Sequence, residues 1–281
     1  MSTIALGLIA AFCWGFHDIC VRFLSQKTPI SACIITVLTT GLLFHLGLMT
    51  FTAGFVPLPA NVIWMSLGAG VFFVLATFGL YLAFERGPVR LVAPLIAGYP
   101  ILSVALAVAS GIPISALQWI AVTAIVLGVA AVAALSDTSA DDAPPKGRTI
   151  FYALASAGGF AGTFALGQHA AELGGEMPTT LVTRILAVGL TITILLAFKL
   201  PFWPGRNALP LLIAMGVADG IALLSVLSAG SKPDPQYAAV TSSMFGLLTI
   251  LLAWLFLKEK MSLPQWVGCI IAFCGVGYLS L

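Results

Sequence analysis

His17 and Asp18 stand side by side in "AAFCWGFHDICVRFL" (Ala10 to Leu24), and Arg22 follows one helical turn on. An acid, an imidazole that titrates near neutral pH and a guanidinium can bind a proton, a cationic solute or one another. Asp18 and Arg22 form an i, i+4 pair in the favourable order. One reading therefore has Arg22 snorkelling to a membrane interface while Asp18 neutralises it. The other has Asp18 and His17 lining a cavity. On a helix His17 projects roughly 100° away from Asp18, so both reach one cavity only near its edge. Trp14 lies four residues before Asp18 on the same face, and an aromatic ring beside a carboxylate suits an amine or a quaternary ammonium.

Asp219, in "IAMGVADGIALLSV", has no basic residue within four positions. It needs a partner from another helix, a ligand or a proton, because an intramembrane charge is costly when alone. Arg184, in "PTTLVTRILAV", is one candidate partner. It would equally serve a solute carboxylate, which would make the site zwitterion-selective, and both readings stay open. Ala218 and Gly220 flank Asp219 and leave room for another backbone or a ligand. Thr241, Ser242 and Ser243 in "YAAVTSSMFG" add hydroxyls, and Tyr99 in "LVAPLIAGYP" offers a phenol to a solute or to a neighbouring helix. His45 reads as a buried histidine bonded to an adjacent helix, and His169 as a residue at a span end.

The elements that must position these groups follow from composition. Hydrophobic residues are 60% of the 281 positions and charged residues 8%, with a mean hydropathy of +1.10. A soluble domain carries about 25% charged residues, so this chain reads as a polytopic membrane protein. Its start, "MSTIALGLIAAFCW", lacks a basic n-region and a small-residue cleavage site, so the first apolar run is expected to be a retained span. A helix needs roughly 20 apolar residues to cross the hydrocarbon core. Ten segments qualify: 4–24, 30–53, 61–84, 91–110, 116–135, 149–169, 179–198, 208–229, 236–256 and 264–281. Pro94 and Pro100 remove backbone donors from the fourth and loosen it. In the sixth, Gly158-x-x-x-Gly162 fits close helix packing. The longest connection, "SDTSADDAPPKGR" (Ser136 to Arg148), holds three Asp and two Pro and reads as a polar linker between halves 1–135 and 149–281.

The halves repeat. An offset of 147 places Gln118-Trp119 on Gln265-Trp266, Gly128 on Gly275, and Gly15 on Gly162. Five spans per half, an odd number, invert the second half relative to the first. Basic residues agree: Arg22, Lys27, Arg86, Arg90, Lys146, Arg148, Lys199, Arg206, Lys258 and Lys260 all fall on one side of a ten-span arrangement. By the positive-inside rule that side is cytoplasmic and both termini lie outside.

The segment "LLTILLAWLFLKEKMSLPQWVGCIIAFCGVGYL" (Leu247 to Leu279), with Trp14-Gly15 and Pro100, resembles the EamA-like branch of the drug/metabolite transporter superfamily. The resemblance covers essentially the whole chain. It implies an all-α integral membrane fold of ten transmembrane helices, arranged as two inverted-topology five-helix repeats around a central cavity. Glu259 sits in the loop before the Gln-aromatic-x-Gly entry, whereas the equivalent position in the first half is Ile112. It is therefore read as a loop or cap residue and not as a coupling site.

The resemblance also implies a secondary active transporter working by alternating access in a bacterial inner membrane, with solute held at the midplane between the repeats. Candidate solute- or proton-binding residues are Asp18, His17, Asp219, Arg184, Trp14, Tyr99, Thr241 and Ser242. The two carboxylates favour a solute with a positive group, such as an amine, an amino acid or another zwitterion. Export coupled to a proton or to exchange is weighed against uptake of a choline-like cation, and against a channel-like or non-transporting subunit. An enzyme is disfavoured: HExxH, a Ser/His/Asp set and a Gly-rich phosphate loop are all missing from the sequence. The five cysteines lie in apolar runs without CxxC spacing, so neither metal, disulfide nor other cofactor is expected. The expected partners are a small-molecule solute and the lipid bilayer, without nucleic acid, and the chain is expected to act as a monomer.

Overall fold

The computed structural model describes residues 1–52, 57–102, 105, 115–135, 146–232 and 236–279, and all the regular structure among them is helical. The helices are α1 (Thr3–Leu24), α2 (Ile30–Thr52), α3 (Ala60–Arg86), α4 (Val89–Ala97), α5 (Ala116–Leu135), α6 (Lys146–Gly174), α7 (Glu176–Ala197), α8 (Leu209–Ser228), α9 (Gln236–Ser242), α10 (Phe245–Leu252) and α11 (Leu263–Leu279). A π-helical turn, Ala253–Leu257, extends α10. Among the described residues, seven stretches are long and apolar enough to cross a membrane, counting Ala238–Leu257 through the α9–α10 break, and three shorter apolar helices accompany them.

The termini of these helices have local causes. Ser2 caps α1 by accepting from the Ala5 amide at 3.3 Å. Pro59 and Pro88 immediately precede α3 and α4, where a fixed φ and a missing N–H do no harm. A single residue, Gly175 with φ +82°, reverses the chain between α6 and α7; only glycine takes that conformation without strain. Lys146 and Arg148, expected in the linker, belong to the first turn of α6, and 136–145 of the linker lie outside the described residues. The fourth segment departs from the expectation of one continuous span. α4 ends at Ala97, a turn at Gly98–Tyr99 follows, and helix resumes at Pro100. The ninth breaks likewise at Ser243–Met244. The two interruptions fall within two residues of each other at the 147-residue offset.

Large apolar side chains such as Phe12, Trp64, Leu127 and Phe151 point outward, while hydroxyls turn inward. This is the distribution expected when the solvent is lipid and each polar group must find a partner within the protein. Ser156 donates to the Ala76 carbonyl at 2.8 Å and Thr183 to the Ser66 carbonyl at 3.1 Å, joining α6 and α7 to α3. α3 and α6 lie so close that a Cβ on Gly159 would come 2.4 Å from the Ala76 nitrogen. Of the Gly158-x-x-x-Gly162 pair, Gly162 packs closely, a Cβ on it falling 2.5 Å from Phe72, whereas Gly158 has only Leu102 near it at 4.0 Å and Gly159 takes its place. The packing is reciprocal between the halves. α1 packs on α8 as α6 packs on α3, and α2 packs on α8 as α7 packs on α3. α5 packs on α11, where a Cβ on Gly128 would meet the Gly268 carbonyl at 2.4 Å and one on Gly275 the Ala121 carbonyl at 2.8 Å.

Candidate functional site

A narrow cavity lies where α1, α2, α3, α6 and α8 converge, with Trp14, His17, Phe73, Tyr81, Phe160 and Asp219 in its wall. Its volume is ≈ 10 Å³ for the centre of a water-sized sphere, the space of about one water. In this structure the cavity is thus closed down, narrower than the hydrated space anticipated between the repeats.

Asp219, on α8, is held from two sides. Trp14 Nε1 donates to Oδ1 at 3.0 Å, and Arg184 Nη1 donates to Oδ2 at 2.6 Å. Arg184 Nη2 also donates to the Asp219 backbone carbonyl at 3.0 Å, and the guanidinium carbon sits 4.6 Å from the centre of the Phe73 ring. Arg184 is wholly buried. The pairing between spans that the sequence left open is therefore present. The glycines around the pair serve this proximity: a Cβ on Gly41 would fall 3.0 Å from Arg184 Nη1. His45 lies beside the pair, with Nε2 2.9 Å from the Gly220 carbonyl, as read from the sequence.

The second acid has different company. Asp18 is 0% exposed, with Oδ1 3.0 Å from His17 Nδ1, and its Oδ2 has no hydrogen-bonding partner among the described residues. His17 Nε2 lies 3.1 Å from the Tyr81 hydroxyl of α3. The local pair with Arg22, one of the two readings open to Asp18, is not formed. Arg22 turns away, donating to the Phe84 carbonyl at 2.8 Å, with Nε 3.9 Å from Glu259. A backbone carbonyl and an acid at the bundle's rim are better partners for a snorkelling guanidinium than an acid four residues deeper. His17 and Asp18 also meet directly, despite their angular separation on the helix, because adjacent side chains can fold back on each other.

Trp14 stacks on Phe164 at 5.6 Å between ring centres and contacts Phe160 and Phe245 at 5.6 and 6.2 Å. Tyr99 joins the same cluster, 5.3 Å from Phe164. Its hydroxyl donates to the Ala239 carbonyl and lies 2.6 Å from Ser242 Oγ. Tyr99 and Ser242 therefore bridge the two broken helices, one aromatic layer from the cavity. Thr241 is elsewhere: its Cβ would be 2.7 Å from a Cβ on Gly7, so it packs against α1. His169 lies exposed at the end of α6, 3.3 Å from Glu172.

Sequence reasoning missed Tyr81, Phe73 and Phe160, which read as ordinary span residues. Tyr81 alone carried a signal, a phenol deep in the apolar run "FGLYLAF". It also missed what Glu259 caps. The carboxylate accepts from the Val89 and Arg90 amides at 3.1 and 3.2 Å, so a loop of the second half caps α4 of the first.

Membrane-length apolar helices, with the Arg184–Asp219 and His17–Asp18 pairs buried among them, define a multi-pass membrane protein. The chain belongs to the EamA-like transporter family of the drug/metabolite transporter superfamily, whose family model matches residues 1–134 and again 147–281. No curated protein matches it. A solved crystal structure of a protein superposes over 100% of this chain and 99% of its own, with a TM-score of 0.75 and 17% sequence identity. At that identity the likeness speaks to the fold alone.

Proposed function

We propose that this chain is a secondary active transporter that moves a small polar organic solute bearing an ammonium group, an amine, an amino acid or another zwitterion, by alternating access. The observation that carries the reading is the Arg184–Asp219 pair set in a wall of Trp14, Phe73, Tyr81 and Phe160. A zwitterion can take the place of the internal pair, its ammonium on Asp219 among the aromatic rings and its carboxylate on Arg184. Exchanging one ion pair for another keeps the interior neutral throughout. Export coupled to protons or to exchange is the direction proposed. Uptake of a choline-like cation is the second reading, favoured by the aromatic wall but leaving Arg184 without a role in binding.

Architecture supports the cycle. The reciprocal packing of the halves fits ten spans in two inverted five-helix repeats, 1–135 and 149–281, joined by the 136–148 linker and related by an axis in the membrane plane. Interrupted helices at matching positions in the two halves are a known mark of such solute sites. The protein is taken to work as a monomer in a bacterial inner membrane, with both termini periplasmic and no nucleic-acid partner. A channel-like subunit would need a polar path through the protein, whereas the cavity beside Asp219 holds about one water and is walled mainly by aromatic and aliphatic side chains. The test is a thermal-stability screen of purified protein against amines, amino acids, nucleosides and organic acids, followed by uptake into proteoliposomes. A binding solute stabilises the folded state. Stabilisation by organic acids alone, or solute flux without saturation, would overturn the reading.

A further inference from the structure

The buried charges do not balance. Arg184 and Asp219 cancel each other at 2.6 Å. Asp18 is fully buried, and the nearest basic group is the imidazole of His17. With that imidazole neutral, the interior would hold one uncompensated negative charge, a state that proteins avoid by pairing or protonation. The groups facing the pair from the surrounding helices cannot supply the missing charge. They are Cys20 of α1, Tyr81 of α3 with Cys33 of α2 behind it, and Asp219 of α8, and none of them is a cation. Arg184 of α7 is committed to Asp219, and Arg22 is turned to Phe84 and Glu259.

We propose that the His17–Asp18 pair holds one exchangeable proton in the closed state and is the protein's proton-binding site, separate from the Arg184–Asp219 pair that receives the solute. The geometry suits one extra proton. His17 Nδ1 bridges to Asp18 Oδ1, the Tyr81 hydroxyl orients the ring through Nε2, and Asp18 Oδ2 is an open acceptor. The proton arrives from hydronium, which departs as water, and it leaves to water on the other side. No other bond is made or broken. The proton belongs to the pair as a whole, shared between imidazole and carboxyl. His17 also borders the cavity beside Asp219, so a solute ammonium seated there repels the proton, and each ligand weakens binding of the other. That is the linkage required for antiport. This inference rests on the transporter reading only for its consequence, since proton binding is measurable without solute.

The test uses purified full-length protein in lipid nanodiscs without solute. Side-chain NMR of the three histidines and infrared detection of protonated carboxyl are followed between about pH 5 and pH 9, the range spanning ordinary imidazole titration. The wild type should release one proton from a coupled His17 and carboxyl signal. Asp18→Asn and His17→Gln should each abolish that coupled signal, and Tyr81→Phe should move its midpoint while leaving one proton. A wild-type protein in which His17 stays neutral and no carboxyl is protonated across this range overturns the proposal, whether or not the variants fold. So does an unchanged carboxyl signal in Asp18→Asn. If the proton titrates as stated but no solute is moved, the proton site stands and the transporter reading fails. If solute is carried with no such proton, the reverse holds.

Discussion

Replacing Arg184 by methionine tests whether its pair with Asp219 acts as one unit. The substitution keeps side-chain bulk and removes two charge-assisted hydrogen bonds, at 2.6 and 3.0 Å, together with the contact over Phe73. Each such bond is worth about 1.5–3 kcal/mol. The partner left behind dominates the outcome, however. Asp219 Oδ1 would keep the Trp14 donor, but Oδ2 would be a bare carboxylate oxygen at a site only 4% exposed. Breaking a buried pair from one side costs about 3–5 kcal/mol, and that is the expected loss for Arg184→Met. Adding Asp219→Asn neutralises the orphan and preserves an oxygen for Trp14, so the double variant should return to within about 1–2 kcal/mol of the parent. Equilibrium unfolding of purified protein in mixed micelles measures all four corners of this cycle. A double variant whose loss equals the sum of the single losses would refute the argument, because the two residues would then be independent. The same four proteins separate structure from function. If the pair receives the solute, the double variant is folded yet gains no stability from a solute that protects the parent.

Glu259→Gln should weaken the cap of α4 by about 1 kcal/mol, seen as faster hydrogen exchange at the Val89 and Arg90 amides; unchanged protection there would refute the capping role. Gly159→Ala should cost about 1–3 kcal/mol by forcing α3 from α6, whereas Gly189→Ala, with nothing within 4 Å of the added carbon, should be neutral or gain up to about 1 kcal/mol. Unfolding midpoints compare the two, and equal effects would sink the packing argument. Tyr99→Phe removes the hydroxyl bridging to Ser242 and the Ala239 carbonyl and should cost about 1 kcal/mol. Faster exchange of the Ser243 and Met244 amides would show where the loss falls, and exchange accelerated everywhere alike would contradict a local bridge.

Much of the fold was legible because lipid imposes a simple rule on sequence: apolar runs of sufficient length become helices, and the few ionisable residues within them face inward. Trp14, His17, Asp18, Arg184 and Asp219 could be singled out on that ground and do converge. Arg184 was already a candidate partner of Asp219 and is its partner, but the company of Asp18 was not legible. Arg22 is the natural i, i+4 partner of Asp18, yet a carbonyl of α3 and an acid from a loop more than two hundred residues later win it. The interruption in the fourth span was signalled by Pro94 and Pro100, but the break in the ninth falls at Ser243–Met244, where no proline or glycine announces it. Tyr81, Phe73 and Phe160 carry ordinary apolar or aromatic identities, and only the crossing of α3 with α1 and α6 turns them into a wall. Thr241 looked like its neighbour Ser242, and one residue of helical rotation sends it toward Gly7 instead.

Glu259 reaches across from the second half to tie down two amides at the head of α4, and Arg22 closes over it from α1. The residue 147 positions earlier is Ile112, whose side chain carries no oxygen. Parting the bundle at the Glu259 end would strand two backbone donors until water reached them. The head of α4 is thus tethered to the loop of the opposite half, and it cannot swing away from that loop without giving up both of its first amide partners.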